Sequence, residues 1–160
     1  MEYEVLYHAQ ARSALVRLSP DVAKRILRKI DELRFGLRGN VKRLKRFVPN
    51  YRLRVGDWRV LFEVSERRVV IHDIRHRSQA YDEEKLMVKT KYDVLTRNGK
   101  EQFVVVPRKD FEALMERLED ENDHRLIERS KKQNAGKRLI SHERVMREFG
   151  LTPREPRRRR

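Results

Sequence analysis

A chain of 160 residues, 41% charged and 38% hydrophobic, can bury one or two small cores but no large one. Its longest uncharged apolar stretches, such as Phe103 to Pro107, fall far short of the roughly 20 residues of a membrane span. The absence of cysteine excludes disulfides and thiolate metal sites, so a soluble cytoplasmic protein without metal or cofactor is expected. Forty Lys plus Arg against 25 Asp plus Glu leave a net charge of +15, more than solubility requires, and point to a polyanionic partner such as nucleic acid.

In chain order, Tyr3 to Tyr7 reads as an opening strand and Ala9 to Leu18 as a helix. Ser19 and Pro20 then supply a cap and a first helical residue for a second helix, whose Val22, Ile26, Leu27, Ile30 and Leu33 recur at helical spacing until Gly36 and Gly39. From Tyr51 the period changes to two: Tyr51, Leu53 and Val55 alternate with Arg52 and Arg54, and after a Gly56-Asp57 turn Trp58, Val60, Phe62 and Val64 share a face. Val69 to Ile74 supplies a further strand. This first half therefore reads β-α-α-β-β-β, an α+β layer with two helices over one face of a twisted antiparallel sheet.

A second unit begins after the acidic patch Asp82 to Glu84. Tyr92 to Arg97 and Lys100 to Val106 flank Asn98-Gly99, the pair suited to a type I′ hairpin turn. Beyond Pro107, Asp110 is the expected cap of a helix bearing Phe111, Leu114, Met115 and Leu118, followed by another containing Leu126 and Ile127. Asp110 to Arg129 is distinctly acidic, with eight acidic residues against three arginines. Asn134-Ala135-Gly136 ends it, and Ser141 to Phe149 forms a last short amphipathic helix stopped by Gly150. The expected organisation is a first domain over 1–84, a junction over 85–91, a hairpin-plus-helices domain over 92–151 and a disordered basic tail over 152–160.

The stretch Tyr-Arg-Leu-Arg-Val-Gly-Asp-Trp-Arg-Val-Leu-Phe-Glu-Val, residues 51 to 64, followed by His76-Arg77 and Tyr81, resembles the RelE/ParE toxin superfamily. The resemblance covers most of residues 1–84. Residues 87–151 look like a Phd/YefM or RelB-type antitoxin through Tyr92, Asn98-Gly99-Lys100, Phe103 to Pro107, Asp110-Phe111-Glu112 and Gly150-Leu151. Together they imply a type II toxin fused to its antitoxin, with the toxin half an endoribonuclease acting on mRNA held by the ribosome and so inhibiting translation in a stress response.

RNA can be cut without metal when its own 2′-OH attacks the adjacent phosphorus, leaving a 2′,3′-cyclic phosphate or 3′-phosphate and a 5′-hydroxyl. That step needs positive charge around the developing phosphorane, and arginine offers a planar, permanently charged fork to phosphate oxygens. Arg52 and Arg54, two apart on one strand, share a sheet face that Arg59 can join. The resemblance gives Arg54, Arg59 and Arg77 the role of gripping the scissile phosphate and Tyr81 a part in proton transfer or stacking. Arg52, Arg75, His76 and Lys45 are the further RNA-binding candidates. Arginine is a poor general base, so the proton acceptor stays open between His76 and His72. Strands facing water also carry arginines for solubility alone, which is the plainer explanation of the same residues.

In the second half Leu114, Met115, Leu118, Leu126 and Ile127 are candidate anchors by which an acidic helix blocks a basic toxin face, in cis or within a homodimer. Val145, Met146 and Phe149 form an alternative anchor set. Arg97, Lys100, Arg108 and Lys109 are candidate contacts to operator DNA. Two further functions stay open for this fold: a ParE-like inhibitor of DNA gyrase, and an inactive nucleic-acid-binding repressor.

Overall fold

The computed structural model describes residues 2–44, 50–80, 93–97 and 100–154; residues 79, 80, 93–97 and 100–103 are described by their backbone alone. The chain is α+β. Strand β1 (Glu4–Tyr7) leads into helices α1 (Ala9–Val16) and α2 (Pro20–Leu33), then into β2 (Val41–Arg43), β3 (Asn50–Val55), β4 (Trp58–Ser65) and β5 (Arg68–His76), and a 3-10 turn at Arg77–Ala80. The second half contributes a two-stranded ribbon of β6 (Asp93–Arg97) and β7 (Lys100–Val105), the 27-residue helix α3 (Arg108–Asn134), a short strand β8 (Ile140–Ser141) and helix α4 (His142–Glu148).

Six strands form one sheet in the order β2-β3-β4-β5-β1-β8. All neighbours are antiparallel except β1 with β5, which run parallel because α1 and α2 and the meander β2 to β5 separate them in the chain. Two-residue turns join β3 to β4 and β4 to β5. Gly56 has φ of 60° and Asp57 does not leave the negative side, the II′ arrangement in which a glycine is needed at the first turn position.

The apolar stripe of α2 (Ile26, Leu27, Ile30 and Leu33) and Ala11, Ala14 and Leu15 of α1 cover one face of the sheet, meeting Leu53, Val55, Val60, Phe62, Val69, Ile71 and Ile74 in a single core. Val145 and Met146 of α4 belong to that same core, and Leu151 packs at its edge. The last fifteen described residues thus complete the core of the first half, with β8 hydrogen-bonded along β1 through Leu6 opposite Ser141 and Tyr7 opposite Ile140. A buried chain ties this junction: the Tyr7 hydroxyl donates to His142 Nδ1 at 2.8 Å, His142 Nε2 donates to Asp31 Oδ1 at 3.0 Å, and the Arg154 amide donates to Asp31 Oδ2 at 2.8 Å. Burial holds the His142 pKa below its ordinary value against the opposing pull of Asp31, so the ring is neutral with one proton, on Nε2.

A bulge sits between Leu61 and Phe62 on β4: Leu61 faces Asp73 while Phe62 faces Ile71, so His72 is the extra residue on β5. The two-residue alternation of β5 breaks there. Ile71 and Ile74 both enter the core, and His72 with Asp73 is placed toward the other face.

Two expectations are corrected, two short strands were not anticipated, and some expected features fall outside the described residues. The segment 110–129 is not two helices but part of one continuous α3, which begins at Arg108 with Pro107 as its cap residue and Asp110 inside the first turn. Ser19 occupies the cap position of α2 but makes no side-chain capping bond. Strands β2 and β8, three and two residues long, carry too little alternation to announce themselves. Asn98 and Gly99 lie outside the described residues, although Arg97 opposite Lys100 leaves the expected two-residue loop between β6 and β7; the junction 85–91 and the tail from 155 lie outside them too.

Candidate phosphate-binding face and its cover

Register brings the arginines together. Arg54 on β3 stands directly opposite Arg59 on β4, and Arg59 opposite Arg75 on β5, so three guanidinium groups form one cross-strand row, with Arg52 one step along the same face of β3. Like charges directly opposite repel. The row is compatible with a folded sheet because carboxylates stand over it. Arg75 is held by Asp73 of its own strand at 2.7 Å, and the others are met by α3.

Helix α3 lies across the face of the sheet that α1 and α2 leave open. Glu119 is the hub. It accepts from Arg59 Nε at 2.6 Å and from Arg54 Nη2 at 3.0 Å, and lies 3.4 Å from Arg52 Nη1. One turn on, Asp123 accepts from Arg52 Nη1 at 2.8 Å, and Asp120 lies 3.3 Å from Arg52 Nη2. Arg52 is fully buried by these contacts. Lys42 on β2 reaches Glu116 at 2.6 Å and Asp120 at 2.8 Å, and Asn50 hydrogen-bonds to His124 at 3.1 Å. Farther along, Lys131 pairs with Glu63 at 2.8 Å, and Ser130 contacts His72 at 3.2 Å. The buried stripe of α3 runs Glu119, Asp123, Ile127, Ser130 and Asn134, at spacings of three and four that place them on one side of a helix.

The ionisation of the carboxylates follows their surroundings. Burial pushes Glu119 up, but the bond from Arg59 and the charges of Arg52, Arg59 and Arg54 together outweigh it, and its carboxyl lies below the ordinary range. Asp123 is deeper. Burial wins over Arg52 there and raises its pKa to about 6. Glu63, with His72 Nε2 at 3.6 Å and Lys131 Nζ at 2.8 Å, falls to about 2.

Of the anchors expected from the sequence, Ile127 is fully buried against Leu44 and Leu61, with Leu126 packed at the edge of that small cluster. Leu114, Met115 and Leu118 are half-buried. The carboxylates that do most of the contact, Glu119, Asp120 and Asp123, were visible in the sequence only as an acidic run, since nothing local says which of eight acidic residues face inward. Val145 and Met146, the alternative anchor set, are in the main core instead.

Arg77 sits on the 3-10 turn, exposed, its amide donating to Asp57 O at 2.7 Å. Among the described residues its guanidinium has no hydrogen-bond or ion-pair partner. It lines a cleft of about 450 Å³ with Arg54, Arg59 and the start of α3. His76 stacks edge-on against Trp58 and bonds Ser78 at 2.9 Å. His72 is fully buried against His8 and beneath Ser130. Tyr81 and Lys45 lie outside the described residues. Arg97 and Lys100 flank the ribbon's loop, and Arg108 and Lys109 are exposed at the start of α3, where Arg108 pairs with Glu112 at 2.8 Å. Among the described residues no cluster of His, Asp or Glu is placed to hold a metal ion, and no helix is long and apolar enough to cross a membrane.

The first half thus has two helices on one face of its sheet and an arginine row on the other. Residues 5–81 match the family model described as the ParE toxin of the type II toxin-antitoxin system parDE, so this part of the chain is similar to the RelE/ParE toxins. It is similar to a chain of the RelB–RelE complex of Methanococcus jannaschii (25% identity, TM-score 0.44, 50% of this chain and 99% of that one). It is similar also to one of the RelE–RelB complex of Pyrococcus horikoshii OT3 (28%, 0.44, 49% and 99%) and to one of the RelBE2 toxin–antitoxin complex of Mycobacterium tuberculosis (28%, 0.38, 48% and 100%). No curated protein matches the chain.

Proposed function

We propose that this chain is a toxin and its antitoxin in one polypeptide, an mRNA endoribonuclease whose phosphate-binding face is shut in cis by α3. One observation carries this reading: Arg52, Arg54 and Arg59, spread over two strands, all take their carboxylate partners from a single helix in the other half of the chain. A polyanion binding the same row would replace those carboxylates one for one.

With α3 displaced, Arg54, Arg59 and Arg77 hold the non-bridging oxygens of the scissile phosphate and stabilise its added charge as the 2′-OH attacks and the bond to the 5′ oxygen breaks. Arg52 and Arg75 extend the row along the strand backbone of the RNA. Tyr81 takes part in proton transfer, and His76, near the rim, is a better placed proton acceptor than the buried His72. Translating ribosomes present the mRNA, and Arg97, Lys100, Arg108 and Lys109 serve operator DNA.

The test uses the full chain carrying Glu119→Ala and Asp123→Ala together, incubated with mRNA and translating ribosomes. The expected result is cleavage to 5′-hydroxyl and cyclic or 3′-phosphate ends, absent in the unaltered chain and abolished by adding Arg59→Ala. A variant whose α3 is demonstrably released, yet leaves mRNA intact, refutes the nuclease. The match to the ParE model favours a second reading, a gyrase inhibitor for which the arginine row is incidental; inhibition of gyrase supercoiling by the released variant, unaltered by Arg59→Ala, would establish it.

A further inference from the structure

Docking of α3 does not fill the arginine face completely. The cleft of about 450 Å³ beside it has one wall from the sheet side, with Arg54 and Arg77, and one wall from the first turns of α3, with Phe111, Met115, Glu112 and Glu116. A pocket of this size accommodates a small molecule rather than a strand of RNA.

Its charges are unequal in state. Glu116 is engaged by Lys42 through one oxygen, Glu112 by Arg108 through one oxygen, and Glu119 by three arginines. Each of these carboxylates already has its cation. Arg77 has none among the described residues, and Arg54, with only one nitrogen held by Glu119, keeps 40% of its side chain exposed. Among the described residues the unspent charge in the cleft is therefore positive and belongs to two guanidinium groups. Opposite them, the Phe111 ring is half exposed and Met115 lies one turn away, giving a flat apolar surface, and the second oxygens of Glu112 and Glu116 remain as hydrogen-bond acceptors.

We propose that this cleft is a nucleotide site that exists only while α3 is docked: Arg54 and Arg77 hold the phosphate, Phe111 and Met115 stack the base, and Glu112 and Glu116 accept from its exocyclic amino group. This rests on reading Arg54 and Arg77 as phosphate ligands. Because one wall belongs to the sheet side and the other to α3, a ligand touching both binds the closed state alone and stabilises it by mass action. A phosphorylated nucleoside, free or at the end of a cleaved strand, is then a signal that holds the toxin shut, whereas a longer RNA needing Arg52 and Arg59 competes with α3. The acceptors favour adenine or cytosine over uracil.

The experiment titrates the full chain with adenosine monophosphate, uridine monophosphate and inorganic phosphate, reading binding by calorimetry and α3 amides by hydrogen exchange. The expected result is saturable binding of adenosine monophosphate, weaker binding of the other two, and slower exchange across 108–134. Arg77→Ala and Phe111→Ala each weaken adenosine monophosphate binding about tenfold or more, the scale of one charge-assisted bond or one stacked base, while Phe111→Ala leaves phosphate binding unchanged. A tetranucleotide ending in 3′-phosphate that binds more tightly than the mononucleotide, still with slowed exchange, identifies a strand end as the occupant; weaker binding identifies the free nucleotide. Equal affinity for phosphate and adenosine monophosphate, with α3 exchanging faster, overturns the composite site but leaves the arginines as phosphate ligands. No binding of any probe overturns both.

Discussion

Glu119→Ala is the substitution on which the cover of the arginine face depends most. Glu119 is almost fully buried and serves three guanidinium groups at once. Their losses differ. Arg54 is partly exposed and recovers water, and Arg52 keeps Asp123 at 2.8 Å and Asp120 at 3.3 Å. Arg59 is the group left short: its Nε loses a 2.6 Å partner in a site with little access to water, and only the carbonyls of Gly56 and Trp58 remain to it. Removing one partner of a buried, hydrogen-bonded ion pair costs about 3 to 5 kcal/mol. The retained backbone bonds place this case at the lower end, about 3 kcal/mol, or a change of about a hundredfold in the docking equilibrium. Hydrogen exchange on the full chain reads it directly, because α3 is polar and poorly stabilised away from the sheet. Amides of 112–130 should exchange about a hundredfold faster, with β3 to β5 unaffected. Glu121→Ala, on the exposed side of the same helix, should change exchange by less than a factor of about two. Unaltered α3 protection in Glu119→Ala, or equal loosening of sheet and helix, refutes the hub.

The pKa of Asp123, about 6 when docked against an ordinary 3.8, makes docking depend on pH. A carboxyl raised in the docked state takes up a proton more readily there than when released, so its effect is to strengthen docking as pH falls from 7 to 5, by about tenfold. Asp123→Asn should flatten the exchange rates of α3 over that range. Glu63 acts oppositely: His72 within the sheet is the largest cause of its pKa near 2, and Lys131 of α3 adds to it, so the Lys131 part alone is lost on acidification below about pH 4, which should loosen the second half of α3. Ile127→Ala, which empties the cluster with Leu44 and Leu61, should cost about 2 to 4 kcal/mol of docking, seen as faster exchange near residues 124–134. His142→Ala leaves Tyr7 and the buried Asp31 short of a partner and should lower the thermal midpoint of the whole first half, equivalent to about 2 to 4 kcal/mol in a chemical denaturation curve. A melt in which only the C-terminal segment loosens would contradict the shared core.

What was readable without the structure was whatever depends on periodicity along one segment. The stripe Ile26, Leu27, Ile30 and Leu33, the alternation of Arg52 and Arg54 with Leu53 and Val55, the Gly56-Asp57 turn and the stop at Gly150 each reflect a local repeat or a local backbone requirement, and each element stands where its pattern put it. The RelE/ParE resemblance rested on the same local runs. The segment read as two helices is one: Asn122 and Asp123 are poor helix formers alone, and burial against the sheet and the bond from Arg52 to Asp123 carry the helix through them.

The sequence by itself determined the composition of the site, a set of arginines on strands and an acidic segment downstream able to meet them. Only the tertiary structure decided that Arg54, Arg59 and Arg75 form one row, that a bulge at His72 sets two successive residues toward α3, and that Glu119 rather than its seven acidic neighbours becomes the hub. It also decided that β8 and α4 complete the first half's sheet and core. The row and the bulge depend on the register between neighbouring strands, as Arg54 with Arg59 and Leu61 with Asp73, and the hub and the shared core on contacts much farther apart in the chain. Helix docking and the closing of the core are fixed by contacts 60 positions apart, as between Arg59 and Glu119, or 135, as between Tyr7 and His142, and a pattern read along the chain carries no information about which partner a side chain will meet.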